Sequence, residues 1–560
     1  MKIELFGSKK NTESLKKASG EYLSWKLSDR QLCDLELLLN GGFSPLGGFM
    51  NKIDYQSVLK NMRLKNGKLF PIPITLDVSD NFSKKIKSKD KITLRDEEGF
   101  PLAVMVIKDI WKPDLQEEAE LVYGTKNENH PAVNYLLNIS NQVYIGGKIK
   151  GISLPKHYDY QKYRHTPQSM KSQFRKRGWK KIIAFQTRNP LHRAHVEMTM
   201  KSIKDLNANL LLHPVVGITK PGDVDHYTRV RCYKHVMTEY NSNSAMLSLL
   251  PLAMRMGGPK EALLHALIRK NYGCTHLIVG RDHAGPGADE KGKNYYGPYD
   301  AQKLLLKYQN EIGIKMVPFK FMVYLPDKDK YAALDKIKKS EKFETISGTE
   351  LRRMLDKGKP IPSWFTYPKV SKELYLSIPP LDKRGFTIFF TGLSGSGKST
   401  LANGLMVRLL EDDYRNVTLL DGDIIRTHLS SELGFSKAHR SLNVQRIGYV
   451  ASEITKNGGV AICAPIAPYN QDRRFNRELI SKFGGYIEIF VSTSLEKCEE
   501  RDVKGLYALA RKGIIKEFTG ISDPYETPKS PDIIINSSGE KPEKLVDVII
   551  DKIKGLGYIK

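Results

Sequence analysis

The sequence predicts an α/β protein of several domains, in which a β-rich unit is followed by two separate α/β units that each carry a nucleotide-sized site. Three observations lead there. The chain has 560 residues, more than one hydrophobic core organises, which points to three or four units. Short apolar runs broken by Gly and Pro fill residues 1 to about 170 and then give way to strand, helix, strand alternation. Two segments, Gln186–His195 (QTRNPLHRAH) and Gly392–Thr400 (GLSGSGKST), each follow an apolar strand and open a helix, where parallel sheets hold ligands.

In chain order, Phe70–Leu76 (FPIPITL) and Leu102–Ile107 (LAVMVI) mark the β-rich part, while Gly41–Met50 (GGFSPLGGFM) is too rich in Gly and Pro for a regular element. Lys181–Phe185 reads as a strand, about His192 to Lys204 as a helix and Leu210–Val216 as a returning strand. His276–Gly280 is a further strand that runs straight into the loop RDHAGPG. Ile346–Gly358 holds a helix that Ser347 or Thr349 caps and Gly358 ends. Ile378–Gly385 (IPPLDKRG) reads as a linker. The second α/β unit offers strands at Phe386–Phe390, Val417–Leu420, Val460–Ala464, Tyr486–Val491 and Ile533–Ile535, and a helix over Lys398–Leu410. A final helix places Leu545, Val548, Ile549 and Ile553 on one core-facing side.

Composition narrows the function classes. With 40% hydrophobic and 27% charged residues, the chain has the make-up of a globular protein in water. It has no apolar run near the ~18 residues a membrane span needs, and its N-terminal segment MKIELFGSKKNTESLKK does not read as a secretory signal; the expected location is cytoplasmic. The five cysteines (Cys33, Cys232, Cys274, Cys463, Cys498) are scattered, which favours reduced and mostly buried thiols. The net charge of +27 is spread as Lys along helices, as at Lys201, Lys204, Lys303 and Lys307. That distribution suits small polyanionic substrates better than nucleic acid.

Gly392, Gly397, Lys398 and Ser399 stand at the fixed positions of a phosphate-binding loop. Glycines let backbone amides converge on phosphate oxygens at a helix N-terminus, Lys398 reaches the β- and γ-phosphates, and Ser399 serves Mg²⁺. The next strand ends in Asp421-Gly422-Asp423, one carboxylate suited to the Mg²⁺ shell and one to orienting an acceptor hydroxyl. In the other segment Pro190 suits a turn, and His192 and His195 share a helix face where they can stabilise charge developing on phosphates.

Residues 385 to about 555, through LDGDIIRTHLSSELGFS, RDVKGLY and EFTGI, resemble adenylylsulfate kinase. The resemblance implies ATP at Gly392, Leu393, Ser394, Gly395, Ser396, Gly397, Lys398, Ser399 and Thr400, and Mg²⁺ at Ser399 and Asp421. It places adenylylsulfate among Asp423, Arg426, Phe435, Arg440, Asn443, Ile466, Lys504 and Phe518, with Phe435 and Phe518 sandwiching adenine. Lys398 and Asp423 take the catalytic roles. Where many members have Ser in SPY, this chain has Ala467 before Pro468 and Tyr469, so direct in-line phosphoryl transfer is expected rather than a phosphoserine intermediate.

Residues 1 to about 375, through GGFSPLGGFM, MRMGGPKEALLHALIRKNYG, HLIVGRDHAGPG and FMVYLPD, resemble ATP sulfurylase (sulfate adenylyltransferase). That implies sulfate held by Gln186, Arg188 and the Ala284 backbone, ATP held by Gly280, Arg281, Asp282, His283 and Val323, and catalysis by Thr187, Arg188, Asn189, His192 and His195. The expected architecture is a β-rich PUA-like domain (1–172), a Rossmann-like nucleotidylyltransferase domain (173–320), a small α/β extension with linker (321–378) and a P-loop kinase domain (379–560). The expected partners are ATP, sulfate and adenylylsulfate, with neither nucleic acid nor membrane, in a homo-oligomer. A sulfurylase carrying a non-catalytic, regulatory kinase-like domain is the alternative.

Overall fold

The computed structural model describes residues 5–220, 222–319, 321–338, 340–412, 415–502 and 504–560. The first four residues of the segment read as lacking a signal, and Val503 of RDVKGLY, lie outside the described residues. The chain forms two compact units, Met1–Ser347 with Ile361–Ser377 and Gly348–Pro360 with Ile378–Lys560.

The first unit opens with a six-stranded, mostly antiparallel sheet of β1 (Leu23–Lys26), β2 (Gly48–Phe49), β3 (Leu76–Val78), β4 (Lys91–Arg95), β5 (Pro101–Trp111) and β6 (Val143–Gly151). The apolar run 70–76 contributes only its last residue to a strand. Phe70, Ile72 and Ile74 are buried, yet Pro71 and Pro73 have no N–H for a ladder, so the segment crosses the core as irregular chain.

A parallel sheet follows, made of β7 (Ile182–Phe185), β8 (Asn209–Leu212), β9 (Ala245–Leu247), β10 (His276–Val279) and β11 (Lys315–Pro318) in the order β11-β10-β7-β8-β9. From β7 the chain winds outward to β8 and β9, and from β10 it winds the other way to β11. The carboxyl ends of β7 and β10 therefore meet at the switch point, which puts Gln186 beside Gly280 where an open α/β sheet leaves a crevice. Three helices complete the site's frame: α1 (Arg193–Leu206), α2 (His226–Val236) and α3 (Gly258–Tyr272). A hairpin, β12 (Met322–Leu325) with β13 (Lys330–Ala333), packs on α1.

The two sheets of this unit share one core, which runs through Leu35, Ile72 and Met105 into Ala184, Leu211 and Leu277. Within it Arg255 Nη2 donates to Asp34 Oδ2 at 2.6 Å, both side chains 3% exposed. Asp34→Ala leaves the guanidinium charge buried and alone, so it should cost about 3–5 kcal/mol in urea unfolding of the first unit; a loss under about 1 kcal/mol, the size of a surface pair, would show that Arg255 finds another partner.

In the second unit β14 (Phe386–Thr391), β15 (Val417–Asp421), β16 (Val460–Ala464), β17 (Gly485–Val491) and β18 (Ile533–Ile535) form a parallel sheet in the order β15-β16-β14-β17-β18. β14 is central and buried throughout, as expected where helices cover both faces: Phe386, Ile388 and Phe390 enter one core and Phe389 the other. Around it lie α4 (Lys398–Asp412), α5 (Gly422–His428), α6 (Lys437–Lys456) and α7 (Pro542–Gly555). The α7 face differs from the sequence reading, because Val548 is 53% exposed while Val546 and Ile550 are buried beside Leu545, Ile549 and Ile553. At 100° per residue Val546 and Ile550 continue the stripe on one side and Val548 on the other, and only the sheet decides which side is covered. The helix Gly348–Asp356 clusters with this unit, where Arg384 Nη2 reaches Asp356 Oδ1 at 2.5 Å, and Gly358 closes it at φ +60.

Cys232, Cys274, Cys463 and Cys498 are buried, Cys33 half-buried, and all five are free. Among the described residues no helix is long and apolar enough to cross a membrane.

Candidate active sites

Beyond β7 the chain turns sharply. Thr187 Oγ1 accepts from the Asn189 N–H and donates to the Asn189 carbonyl, both at 3.0 Å. α2 holds this turn from below: Arg229 Nη1 donates to the carbonyls of Arg188 (3.1 Å) and Val215 (2.9 Å), and the Tyr233 hydroxyl donates to the Asn189 carbonyl at 2.8 Å. The Arg188 side chain is turned onto Asp223, with Nη1 at 2.6 and 2.5 Å from the two carboxylate oxygens.

His192 is the residue before α1 rather than part of it, and its N–H donates to Nδ1 of His195 at 3.2 Å. An Nδ1 that accepts puts the proton of a neutral imidazole on Nε2, so His195 presents a donor. The His192 ring lies 4.3 Å from that of Phe365, with Nδ1 3.1 Å from Thr366 Oγ1, and His195 packs against Phe185 and Phe319 at 6.1 and 6.0 Å. Burial pulls His192 to about 3, helped by His195 beside it, and His195 to about 4. Both are uncharged at neutral pH.

The loop after β10 closes the crevice. Asp282 and Ala284 adopt left-handed backbone at φ +53 and +57, strain of about 1–2 kcal/mol for each non-glycine residue of the kind that collects at working sites. The Ala284 carbonyl accepts from the Gly258 N–H at 3.1 Å, fastening the loop to the start of α3. Asp282 and His283 line a small pocket with Pro259 and Tyr296, whereas the Arg281 side chain is 54% exposed, with Nε 3.4 Å from Asp282 Oδ2. Val323 is buried in β12 opposite Ala332. Behind the crevice His265 Nδ1 lies 3.1 Å from His283 Nε2, while its Nε2 lies 3.3 Å from Gln186 Nε2 and 3.4 Å from Glu261 Oε1. Burial takes His283 down to about 3 and lowers His265. For Glu261 burial works upward, but hydrogen bonds from His265 and from the Arg255 and Gly257 N–H groups outweigh it and hold the carboxyl below its usual range.

The other site follows β14. Gly392, Gly395 and Gly397 take φ +151, +70 and +98, and a Cβ on Gly392 would stand 2.6 Å from the Val491 carbonyl, so the loop needs its glycines. Thr493 and Ser537, at the ends of β17 and β18, donate to the Ser396 carbonyl at 3.0 and 2.7 Å, Arg501 Nη1 donates to Ser537 Oγ at 2.9 Å, and the Tyr507 hydroxyl donates to the Ser394 carbonyl at 2.9 Å. Lys398 Nζ donates to the Leu393 carbonyl at 2.7 Å. Ser399 Oγ donates to Asp421 Oδ2 at 2.8 Å, and the other oxygen of Asp421 accepts the Asp423 N–H at 3.0 Å, which starts α5.

Around this loop Lys504 pairs with Asp423. Arg440 Nη1 donates to Thr519 Oγ1 (2.7 Å) and Asp523 Oδ2 (2.6 Å), and Tyr469 also donates to Asp523 (2.7 Å). The Arg426 guanidinium lies 4.4 Å over the Phe435 ring, which is 63% exposed, while Phe518 meets Tyr507 edge-on at 5.0 Å. The two phenylalanines thus have different neighbours. Asn443 is buried, its Oδ1 without a partner, and the Ile466 carbonyl accepts from Thr391 Oγ1 at 2.8 Å.

A family model described as ATP-sulfurylase matches residues 161–376, one described as adenylylsulphate kinase matches 384–536, and one described as a PUA-like domain matches 2–154. The sulfate adenylyltransferase of Chaetomium globosum is 51% identical over 538 residues, 95% of this chain and 93% of that protein. The chain belongs to the sulfate adenylyltransferase family. That of Yarrowia lipolytica is likewise 51% identical, over 97% of this chain and 96% of its own. A solved structure titled hexameric APS kinase from Thiobacillus denitrificans superposes with a TM-score of 0.82 at 35% identity, over 100% of this chain and 98% of that one. The expected PUA-like, sulfurylase and P-loop kinase folds are all present.

In the kinase domain Lys504 and Arg440 are paired with carboxylates, whereas Lys398 and Arg426 donate to backbone carbonyls and have no carboxylate partner among the described residues. Burial pulls Lys398 down to about 8, and burial followed by repulsion from Arg440 lowers Arg426; an entering polyanion relieves both. Ser399 and Asp421 are hard oxygen donors of the type Mg²⁺ prefers, but among the described residues there is no cluster of three or more acidic, His or Cys side chains fit to hold a metal. The set suits an ion that arrives with a nucleotide's phosphates.

Reading single segments missed the side chains that reach across elements: Asp223, Arg229, Tyr233, Glu261 and His265 in the sulfurylase domain, and Thr493, Arg501, Tyr507, Ser537 and Asp523 in the kinase domain. A signal was present for some, since Arg229 and Tyr233, and Glu261 and His265, lie four apart and so share a helix face.

Proposed function

We propose that the chain converts ATP and sulfate to adenosine 5′-phosphosulfate and diphosphate at the first site, and that its kinase domain then uses ATP to phosphorylate the 3′-hydroxyl. The observation that carries the second step is the complete set of phosphate-loop glycines, Lys398, Ser399, Asp421 and Asp423 in one domain. The relatives are named for the adenylyl transfer alone, which keeps a regulatory, non-catalytic kinase-like domain as the second reading. The proposed boundaries are 1–172, 173–320, 321–378 and 379–560. A cytoplasmic homo-oligomer fits the free cysteines and the hexameric relative.

In the first reaction a sulfate oxygen bonds to the α-phosphorus and the bond to the β-phosphate oxygen breaks. Arg188 exchanges Asp223 for sulfate, Gln186 and the Ala284 backbone complete its cradle, and the Thr187–Asn189 turn fixes Arg188 in place. ATP lies along Gly280–His283 and Val323, where the neutral His195 and His192 donate toward charge growing on the phosphates. No protein nucleophile is required, so positioning and fixed donors supply the rate.

In the second, Gly392–Thr400 cradle ATP and Lys398 leaves the Leu393 carbonyl for the β- and γ-phosphates. Ser399 and Asp421 would hold the Mg²⁺ that arrives with ATP, and the ion would supply neutralisation of phosphate charge. Asp423 orients the 3′-hydroxyl, with Arg426, Arg440 and Lys504 on the anionic groups and Phe435, Asn443, Ile466 and Phe518 about the rest of adenylylsulfate. Ala467 is 1% exposed and packs with Phe389, Val444 and Ile447, and it has no hydroxyl to phosphorylate, so transfer is direct and in line.

The deciding experiment supplies sulfate, ATP and Mg²⁺ and resolves adenylylsulfate from its 3′-phosphorylated form. Both products are expected. Adenylylsulfate alone, with no ADP formed when adenylylsulfate is supplied, would establish the regulatory reading.

The depressed lysine sets a pH dependence. Free Lys398 loses its proton above about 8 and phosphate favours the protonated form, so ATP affinity is full below about 8 and falls as pH rises, by up to about tenfold per unit. Calorimetry at pH 7 and 9 should show proton uptake at the upper pH in the wild type and none at this site in Lys398→Arg.

A further inference from the structure

We propose that Glu261, acting through His265, sets which way the Gln186 amide faces, and so makes Glu261 and His265 positioning residues for the sulfate donor; this rests on the reading of the first site given above. The starting point is a mismatch. Gln186 turns its NH₂ toward His265 Nε2 at 3.3 Å, and its carbonyl oxygen is buried without a hydrogen-bond partner among the described residues. In that orientation an amide N–H is committed to His265, and the oxygen beside it has nothing to donate.

Glu261 resolves it. Its carboxylate is fully buried and anchored by the N–H groups of Arg255 at 2.8 Å and Gly257 at 2.9 Å, with Oε1 left 3.4 Å from His265 Nε2. An ionised carboxylate only accepts, so it favours the tautomer of His265 with the proton on Nε2. The same N–H then faces Gln186, whose amide turns over to place its oxygen there. The orphan oxygen gains a donor, and both amide N–H groups are released for an anion. Nδ1 of His265, now an acceptor, takes the N–H of His283 Nε2 at 3.1 Å. Arg255 extends the support, since its guanidinium is held by Asp34. The relay runs from the β-rich domain to the sulfate cradle through contacts that are all buried.

The test uses the full-length enzyme in sulfate-dependent diphosphate release, with Glu261→Gln, Gln186→Ala and the double variant. In Glu261→Gln the buried charge that favours the Nε2–H tautomer of His265 is gone, so the bias on the Gln186 amide is lost. The KM for sulfate should rise about 10- to 100-fold, the loss of one hydrogen bond to a charged group, while the KM for ATP stays within about twofold of wild type. In the Gln186→Ala background the Glu261 substitution should then add less than about twofold, because the two act as one unit. His265→Leu, which leaves Glu261 its two backbone donors, should show the same sulfate-selective rise and tests the relay even if Glu261→Gln does not fold. An unchanged sulfate KM, equal losses for sulfate and ATP, or additive effects in the double variant would overturn the relay. Absence of sulfate-dependent diphosphate release in the wild type would instead overturn the reading of the site itself.

Discussion

Lys398→Ala should lower 3′-phosphorylation of supplied adenylylsulfate by about 10³-fold or more while diphosphate release from sulfate and ATP continues at the wild-type rate. Removing one preorganised donor from developing charge costs about 10²–10³-fold, and Lys398 is a full charge in a buried loop. In the free enzyme Nζ rests on the Leu393 carbonyl, 2.7 Å away, so no ion pair holds it back from the phosphates. The loop should survive, because the Ser396 and Ser394 carbonyls are held by Thr493, Ser537 and Tyr507. Separate assays for ADP and diphosphate measure both effects. Equal loss of the two activities would contradict separable sites.

His195→Ala should give the mirror result, a loss of about 10²–10³-fold in diphosphate release with the kinase step on supplied adenylylsulfate intact. What is lost is a neutral donor. Nδ1 takes the His192 N–H and burial holds the ring near 4, so the neutral Nε2–H tautomer is fully populated above about 5 and gains a proton at Nδ1 only as pH falls through about 4. The pH profile of adenylyl transfer should accordingly have no limb from His195 near 6.5. His195→Gln, whose carbonyl can reach back to the His192 N–H as residues at this helix position do while its NH₂ donates forward, should recover part of the rate. A limb near 6.5 that vanishes in the variant would show that the imidazolium works instead.

Both candidate sites were legible in the sequence in their contiguous parts. Gly392, Gly397, Lys398 and Ser399 are close in sequence, and a strand, turn and helix permit one arrangement of such residues, so spacing implied geometry. The same holds for the Gln186–His195 turn and for the α/β alternation that places it at a sheet's carboxyl edge. Where local signals compete the sequence misled: prolines kept 70–75 out of the sheet, and helical period alone could not choose between Val546 and Val548. The Phe435 and Phe518 rings illustrate another limit, since nothing local says which neighbour an aromatic face will meet.

What the sequence by itself determined is therefore the two folds and the candidate groups they carry, because strand, turn and helix chemistry acts over a few residues. Only the tertiary structure decided how those groups are held. Asp223 faces Arg188, and Glu261 and His265 stand behind Gln186 and His283, through contacts between residues up to 79 apart. Such pairs depend on strand order at the switch point, which the whole core sets, and hydrogen-bond donors and acceptors acquire their direction there.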